Sequence, residues 1–419
     1  MALNPHDRES ALEYASSAVL DRNGDEHPPR GPRSNQPPRR GTGKKTGRRP
    51  KDPLWARLFV IFGALLMLTS GTAIIGNKVL FDAATSSFNK ADLLPPPDHH
   101  VSINGAKNIL LVGIDARPDQ NPNDPIRADS VMIMHIPATH DRAYLVSIPR
   151  DAYVQIPAYD NGVNKFRGTR DKINAAFAYG GSGLTGLTQR VQGFRLLQQT
   201  IRTDYGIRFD AGAIVDFNGF KEVVEALGGV DMYVDEKTIS VHWGWTKDGR
   251  YKMPYTFDSN AKVHAVPGVT PKVYNVGMQH LKPWEALDYV RQRELLPDGD
   301  YGRQRHQQQF LKALAKGILS SDTLTNPGKL RRVLQVVGKA MTVDDGHISM
   351  EDWIFAMRGI SAGNIVTIKT NGGNFHSEQV GVDSVETLDP TSLQLMQAIT
   401  RDAVDGFIAD HADWVSQSG

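Results

Sequence analysis

Residues 108–148 read "NILLVGIDARPDQNPNDPIRADSVMIMHIPATHDRAYLVSI", and the fold turns on them. The runs Asn108–Ile114, Ser130–Ile136 and Ala143–Ile148 are short, apolar and rich in β-branched residues, as strands covered on both faces require. Helical patterns alternate with strands beyond them. "NGFKEVVEALGG" sets Phe220, Val223, Val224 and Leu227 on one face, with Asn218 as N-cap and Gly228 past the end. "PWEALDYVRQRE" opens on Pro283, a favoured first helical position, and "RQRHQQQFLKALAKGIL" spaces Phe310, Leu314 and Ile318 by four. "NPGKLRRVLQVVGKAM" reads as a helix, "GNIVTIKT" (Gly363–Thr370) as a strand, and the chain after Thr400 as a last helix. Strands interleaved with helices indicate an α/β sandwich.

Upstream the chain changes character. Residues 1–53 are rich in Arg, Pro, Gly and Ser, too poor in apolar surface to offset the entropy of ordering, and are expected to be a disordered basic tail. Leu58–Gly76, "LFVIFGALLMLTSGTAIIG", is uncharged, and about 20 such residues cross a bilayer core as a helix. A transmembrane helix is therefore expected over 54–77. Arg39, Arg40, Lys44, Lys45, Arg48, Arg49, Lys51 and Arg57 precede it, which by the positive-inside rule leaves the tail in the cytoplasm. The expectation is a single-pass protein of the cell membrane. It has a juxtamembrane linker over 78–101, an extracytoplasmic catalytic domain over 102–400 and a C-terminal segment over 401–419. The net charge of +2 averages over these unlike regions.

The chain has no cysteine, which excludes disulfides, thiol nucleophiles and cysteine-ligated metals. It has no GxxxxGK[ST], HExxH or GxSxG motif. Gly181, Gly183 and Gly186 match GxGxxG, but they follow the helix-like "KINAAFAY" and not a strand, so they read as a loop. Asp115 follows the first strand and Asp129 precedes the second. Ligands collect at strand ends in such folds, so the two carboxylates either converge on a hard cation or cap turns and pair with Arg117 and Arg127. Arg150 follows the third strand; Arg291, Arg293, Arg303 and Arg305 come later, with Gln307 one helical turn past Arg303. Guanidinium forks match phosphate oxygens. The same arginines could equally form a solvated face paired to Glu294, Asp298 and Asp300.

Taken in order, "NILLVGIDAR", "RADSVMIMHI", "LVSIPRDAYVQIP", "DKINAAFAYGG", "VDFNGFKEVVEALGGVDMYVD", "LKPWEALDYVRQRE" and "GDYGRQRHQQQFL" resemble the LytR–CpsA–Psr family over about Ile103 to Leu319. The resemblance implies a three-layer α/β/α sandwich with a central mixed sheet, holding a polyprenyl-pyrophosphate lipid whose tail fills an apolar cavity. The implied reaction moves a glycopolymer-1-phosphate from that carrier to a hydroxyl of peptidoglycan. It implies Mg²⁺, with Mn²⁺ as a substitute, on Asp115 and Asp129. Arg127, Arg150, Lys172, Arg291, Arg293, Arg303 and Gln307 match the pyrophosphate-binding positions, and Arg150, Asp129 and Arg303 match the catalytic group. Many members read D-x-x-R-x-x-R-Q. Here His306 replaces the second arginine and Arg305 stands one place early, about 100° around the helix, so neither takes its role by default. No general base identifies itself; Asp129 and Asp151 are the candidates. The Arg/Ala/Gly-rich usage suggests an actinobacterium, where the polymer would be arabinogalactan or a teichoic-type chain. The competing readings are a lipid pyrophosphatase, a non-catalytic scaffold of wall assembly, and a regulator whose tail binds nucleic acid. The last lacks aromatic interleaving or a recognition fold in the tail, and no nucleic-acid partner is expected.

Overall fold

The computed structural model describes residues 89–415, apart from 97–100, 115–120, 122–123, 259–261, 319–320, 325, 350–351, 354–355, 357–358 and 361–363. The expected tail, membrane helix and most of the linker, like Asp115 and Arg117, lie outside the described residues. No helix among the described residues is long and apolar enough to cross a membrane.

Seven strands form the central sheet: β1 (Asn89–Lys90), β2 (Lys107–Ile114), β3 (Ala128–Ile136), β4 (Ala143–Ile148), β5 (Ala211–Asp216), β6 (Met341–Asp344) and β7 (Ile365–Lys369). Their spatial order is β1-β6-β5-β2-β3-β4-β7. β2 runs parallel to β5, and β1–β6 and β4–β7 are also parallel pairs, while β2–β3, β3–β4 and β5–β6 are antiparallel. The sheet is mixed, as expected. β2 and β4 are apolar on both faces because both faces are covered. Ile109 and Leu111 point into one core, and Leu110 and Val112 into the other.

On the first face lie α3 (Phe217–Leu227), α4 (Pro283–Tyr289), α5 (Gly299–Ile318) and α6 (Pro327–Ala340), contributing Val223, Tyr289, Phe310, Leu314 and Val337. On the second lie α1 (Ile173–Gly180), α2 (Gly186–Tyr205) and α7 (Pro390–Thr400), with Phe177, Phe194, Leu197 and Leu395. Apolar residues recurring at helical spacing supply one stripe per helix, and burial of those stripes against the sheet makes the three layers.

Several boundaries differ from the sequence reading. α3 starts at Phe217, so Asn218 is inside it and is not its cap. Gly228 does end that helix: at φ +89° it is left-handed, and the Gly229 N–H closes on Val224 O at 2.9 Å. α4 stops at Tyr289, which leaves Arg291 and Arg293 in the following turn. The folded body also reaches further than the expected domain. Leu93 and Leu94, within the stretch read as linker, are buried with the second core, and so are Val404, Phe407 and Trp414 beyond residue 400.

Candidate active site

The antiparallel register pairs Gly113 with Ser130 and Val131 with Ile148, so the end of β2, the start of β3 and the end of β4 share one edge of the sheet. β3 begins at Ala128, which puts Asp129 inside the strand and not ahead of it. Arg150 stands two residues past β4. It donates Nη1–H to Asp129 Oδ1 at 2.8 Å, and its Nε lies 3.6 Å from Asp151 Oδ2 and 3.8 Å from Asp300 Oδ1. Lys172, just before α1, places Nζ 3.6 Å from Asp151 Oδ1. Arg303, in the first turns of α5, places Nη2 2.6 Å from Asp300 Oδ1 and donates to the Asp129 carbonyl at 3.0 Å. Arg127 donates to Asn174 Oδ1 at 3.3 Å, and the Asn174 N–H bonds Arg150 O at 3.1 Å.

The structure thus brings Asp129, Arg150, Lys172, Arg303 and Arg127 together, alternating cations with the carboxylates of Asp129, Asp151 and Asp300. Arg291 and Arg293 sit in the turn between α4 and α5, and Arg293 directs its Nε to Glu294 at 3.0 Å. Of the acidic partners the sequence offered, Asp300 pairs with Arg303 and Glu294 with Arg293. Burial opposes the Arg150 charge, but Asp151, Asp300 and Asp129 outweigh it and hold the guanidinium above its ordinary value.

Some polar groups here make no hydrogen bond among the described residues. Arg150 Nε, Arg303 Nε and Gln307 Oε1 are buried without a hydrogen bond. More than nine in ten buried polar groups are paired in folded proteins, so a cluster of unpaired ones facing ion pairs marks a place where another polar molecule belongs. Two of the three are guanidinium N–H donors, which suit anionic oxygen.

Oxygen donors suit a hard cation at the same place. Asp129 offers a carboxylate, and Asp300 Oδ1, although ion-paired, accepts no hydrogen bond. No group of three metal-ligating side chains occurs among the described residues. Mg²⁺ asks for one or two carboxylates and completes its shell with water and phosphate oxygens, so the donor set fits it.

Arg305 and His306 have different work. Arg305 Nε is 2.6 Å from Asp235 Oδ2, and its two terminal nitrogens bond Glu236 and Asp298. His306 is fully buried, stacked on Tyr289 with ring centroids 4.1 Å apart, its Nε2 3.6 Å from Glu236 Oε1. They fasten α5 to the chain after Val234 and leave Arg303 to face the sheet edge. Sequence reading did not place Asn174, which no local pattern marks, or the bridging role of Asp300, which its i,i+3 spacing from Arg303 signals.

A sequence model of the LytR_cpsA_psr family matches residues 77–401. The chain is 26% identical over 393 residues to the cell wall biosynthesis protein LcpA of Corynebacterium glutamicum, covering 87% of this chain and 70% of that protein. It is 24% identical over 338 residues to the polyisoprenyl-teichoic acid–peptidoglycan teichoic acid transferase TagU of Enterococcus faecalis, covering 80% and 94%. The crystal structure of gbs0355 from Streptococcus agalactiae shares the fold with a TM-score of 0.52 at 20% identity, over 71% of this chain and 88% of that one.

Proposed function

The chain belongs to the LytR_cpsA_psr family, and from that premise we propose that it is a glycopolymer–peptidoglycan transferase using a polyprenyl-pyrophosphate-linked glycan as donor. The observation that carries this reading is the Arg150–Asp129–Arg303 cluster, whose buried Nε donors make no hydrogen bond among the described residues. Relatives named as a cell wall biosynthesis protein and a teichoic acid transferase support it.

In the proposed reaction a peptidoglycan hydroxyl attacks the phosphorus next to the glycan. The new P–O bond forms as the bond to the bridging oxygen breaks, and polyprenyl phosphate leaves with the electron pair. Arg150 and Arg303 bind the diphosphate and stabilise the charge that grows on the leaving phosphate; Arg127 and Lys172 add positive potential beside them. Arg291, Arg293 and Gln307 are proposed to complete the diphosphate site. Asp129 is engaged by Arg150, so Asp151, held only by 3.6 Å contacts, is the carboxylate proposed to take the hydroxyl proton. Mg²⁺ on Asp129 and Asp115 would neutralise the diphosphate when bound. The apolar run at 58–76 and its basic flank support a body held outside the cell membrane.

The test is transfer of a radiolabelled polyprenyl-pyrophosphate-linked glycan to peptidoglycan by the purified full chain. Label in the wall fraction that is lost in Arg150→Ala supports the reading. Release of free glycan phosphate without attachment would make the chain a pyrophosphatase instead.

A further inference from the structure

An aromatic surface adjoins the arginine turn, and the proposed reaction leaves it unused. The strand Thr238–Thr246 carries Trp243 and Trp245, and although a bulge between Ile239 and Gly244 interrupts its pairing, both rings reach Trp284. Tyr251, bridged to Trp245, comes back beside them, and α4 adds Trp284. Trp243 lies with its ring centroid 4.9 Å from Tyr251 and 4.6 Å from Trp284, while Trp245 meets Trp284 edge-on at 6.3 Å. The backbones come close enough that a Cβ on Gly244 would stand 2.9 Å from Thr270 O, so the rings are presented on a tightly paired ribbon. None of the three tryptophans is fully buried, and Tyr251 is 56% exposed.

Polar groups rim these rings. His242, 40% exposed, places Nδ1 3.2 Å from Asp288 Oδ1, and Lys272 Nζ lies 5.7 Å over the Trp284 ring and pairs with Glu285. The ribbon is pinned to the arginine turn: Gln292 Oε1 accepts from the Val241 N–H at 2.9 Å and Gln292 Nε2 bonds Asp288 Oδ1 at 2.7 Å. Gln292 stands between Arg291 and Arg293.

We propose that Trp243, Trp245, Tyr251 and Trp284 form a saccharide-binding platform that holds pyranose rings of a glycan running out from the diphosphate site. The C–H faces of a pyranose stack on aromatic rings, and its hydroxyls need nearby polar partners, which the partly exposed His242 and Lys272 supply, His242 being held in place by the buried Asp288. A lipid surface would ask for an unbroken apolar or cationic face, which the exposed carboxylate of Asp248 interrupts. The place of the platform in catalysis rests on the transferase reading, whereas saccharide binding itself does not.

The experiment measures binding of two probes to the full chain in detergent: an N-acetylglucosamine tetramer and farnesyl pyrophosphate. Peptidoglycan fragments and a lipid-linked glycan form separate arms that tell acceptor from donor. Trp243→Ala and Trp284→Ala are expected to weaken the tetramer about tenfold, as for aromatic anchors at binding surfaces, and leave farnesyl pyrophosphate unchanged. If both probes are lost together, the exposed Tyr251→Ser decides: weakening of the tetramer alone upholds the platform, and unchanged binding overturns it. No saccharide binding in the wild type also overturns it. Failure of wild-type farnesyl pyrophosphate binding alone would count against the transferase reading and leave the platform standing.

Discussion

Arg150 donates its Nη1–H to Asp129 Oδ1 across 2.8 Å, so one hydrogen bond joins the group suited to phosphate and the carboxylate suited to a cation. Each holds the other in place before any substrate arrives. Arg150→Ala is expected to lower transfer by about 10²–10³, the usual loss for a stabiliser of transition-state charge. Transfer within threefold of wild type, in a variant with unchanged melting temperature, would remove Arg150 from the mechanism.

Chelation should act through the same carboxylate. EDTA is expected to stop transfer and added Mg²⁺ to restore it, while Asp129→Asn should need more Mg²⁺ for half-maximal activity. Titrating Mg²⁺ against both proteins checks this; an unaltered Mg²⁺ requirement in Asp129→Asn would move the cation elsewhere.

Arg305 is bound by Asp235, Glu236 and Asp298, and is more than four-fifths covered. Removing it leaves those carboxylates crowded without their cation, so Arg305→Met is expected to cost about 3–5 kcal/mol by denaturant unfolding. His306, its Nε2 3.6 Å from Glu236 Oε1, and then Arg305 hold the Glu236 carboxyl below its ordinary value despite burial. A depressed folded pKa gives stability present above the ordinary value and lost as pH falls through the folded one. Wild-type stability should therefore fall on acidification through the carboxylate range, and Glu236→Gln should flatten that fall.

Tyr301 donates to Glu386 Oε1 at 2.9 Å and accepts from Asn371 Nδ2 at 2.9 Å, inside a buried group that also engages the His376 N–H. Burial and then Glu386 push the Tyr301 hydroxyl well above its ordinary range, so it stays a donor. Tyr301→Phe removes that donor but leaves Glu386 its other partners, for an expected cost of about 1–2 kcal/mol. Calorimetric melting of the variant checks it, and an unchanged melting temperature would show the bond to be energetically neutral.

The strands at the centre were legible because both their faces are covered, which makes β2, β3 and β4 continuous apolar runs with clear ends. Edge strand Asn89–Lys90 was not, since two exposed polar residues carry no periodic signal. Asp129, Arg150, Lys172 and Arg303 were named from their blocks, and the structure sets them in contact. Their linkage through Asp151 and Asp300 required geometry, because an acidic residue beside an arginine reads the same whether it is solvated or buried. The helical rotation of about 100° that separates Arg305 from His306's position proved decisive: Arg305 turns to Asp235 and His306 stacks on Tyr289. The aromatic surface gave only a hint in the alternation of Trp243 and Trp245. Trp284 joins them from a different element, and nothing in the sequence foretells that meeting.

The early edge strand has a mechanical consequence. Because Asn89–Lys90 pairs with β6 and Leu93 and Leu94 are buried, the catalytic body is stitched at its own threshold. With the proposed anchor ending near residue 77, the chain length up to Asn89 caps the distance between anchor and body at roughly 40 Å. On the proposed membrane-anchored reading, the site would then serve a shallow layer of wall next to the bilayer, within reach of the proposed lipid-linked donor, and more distant glycan strands would have to come to the enzyme.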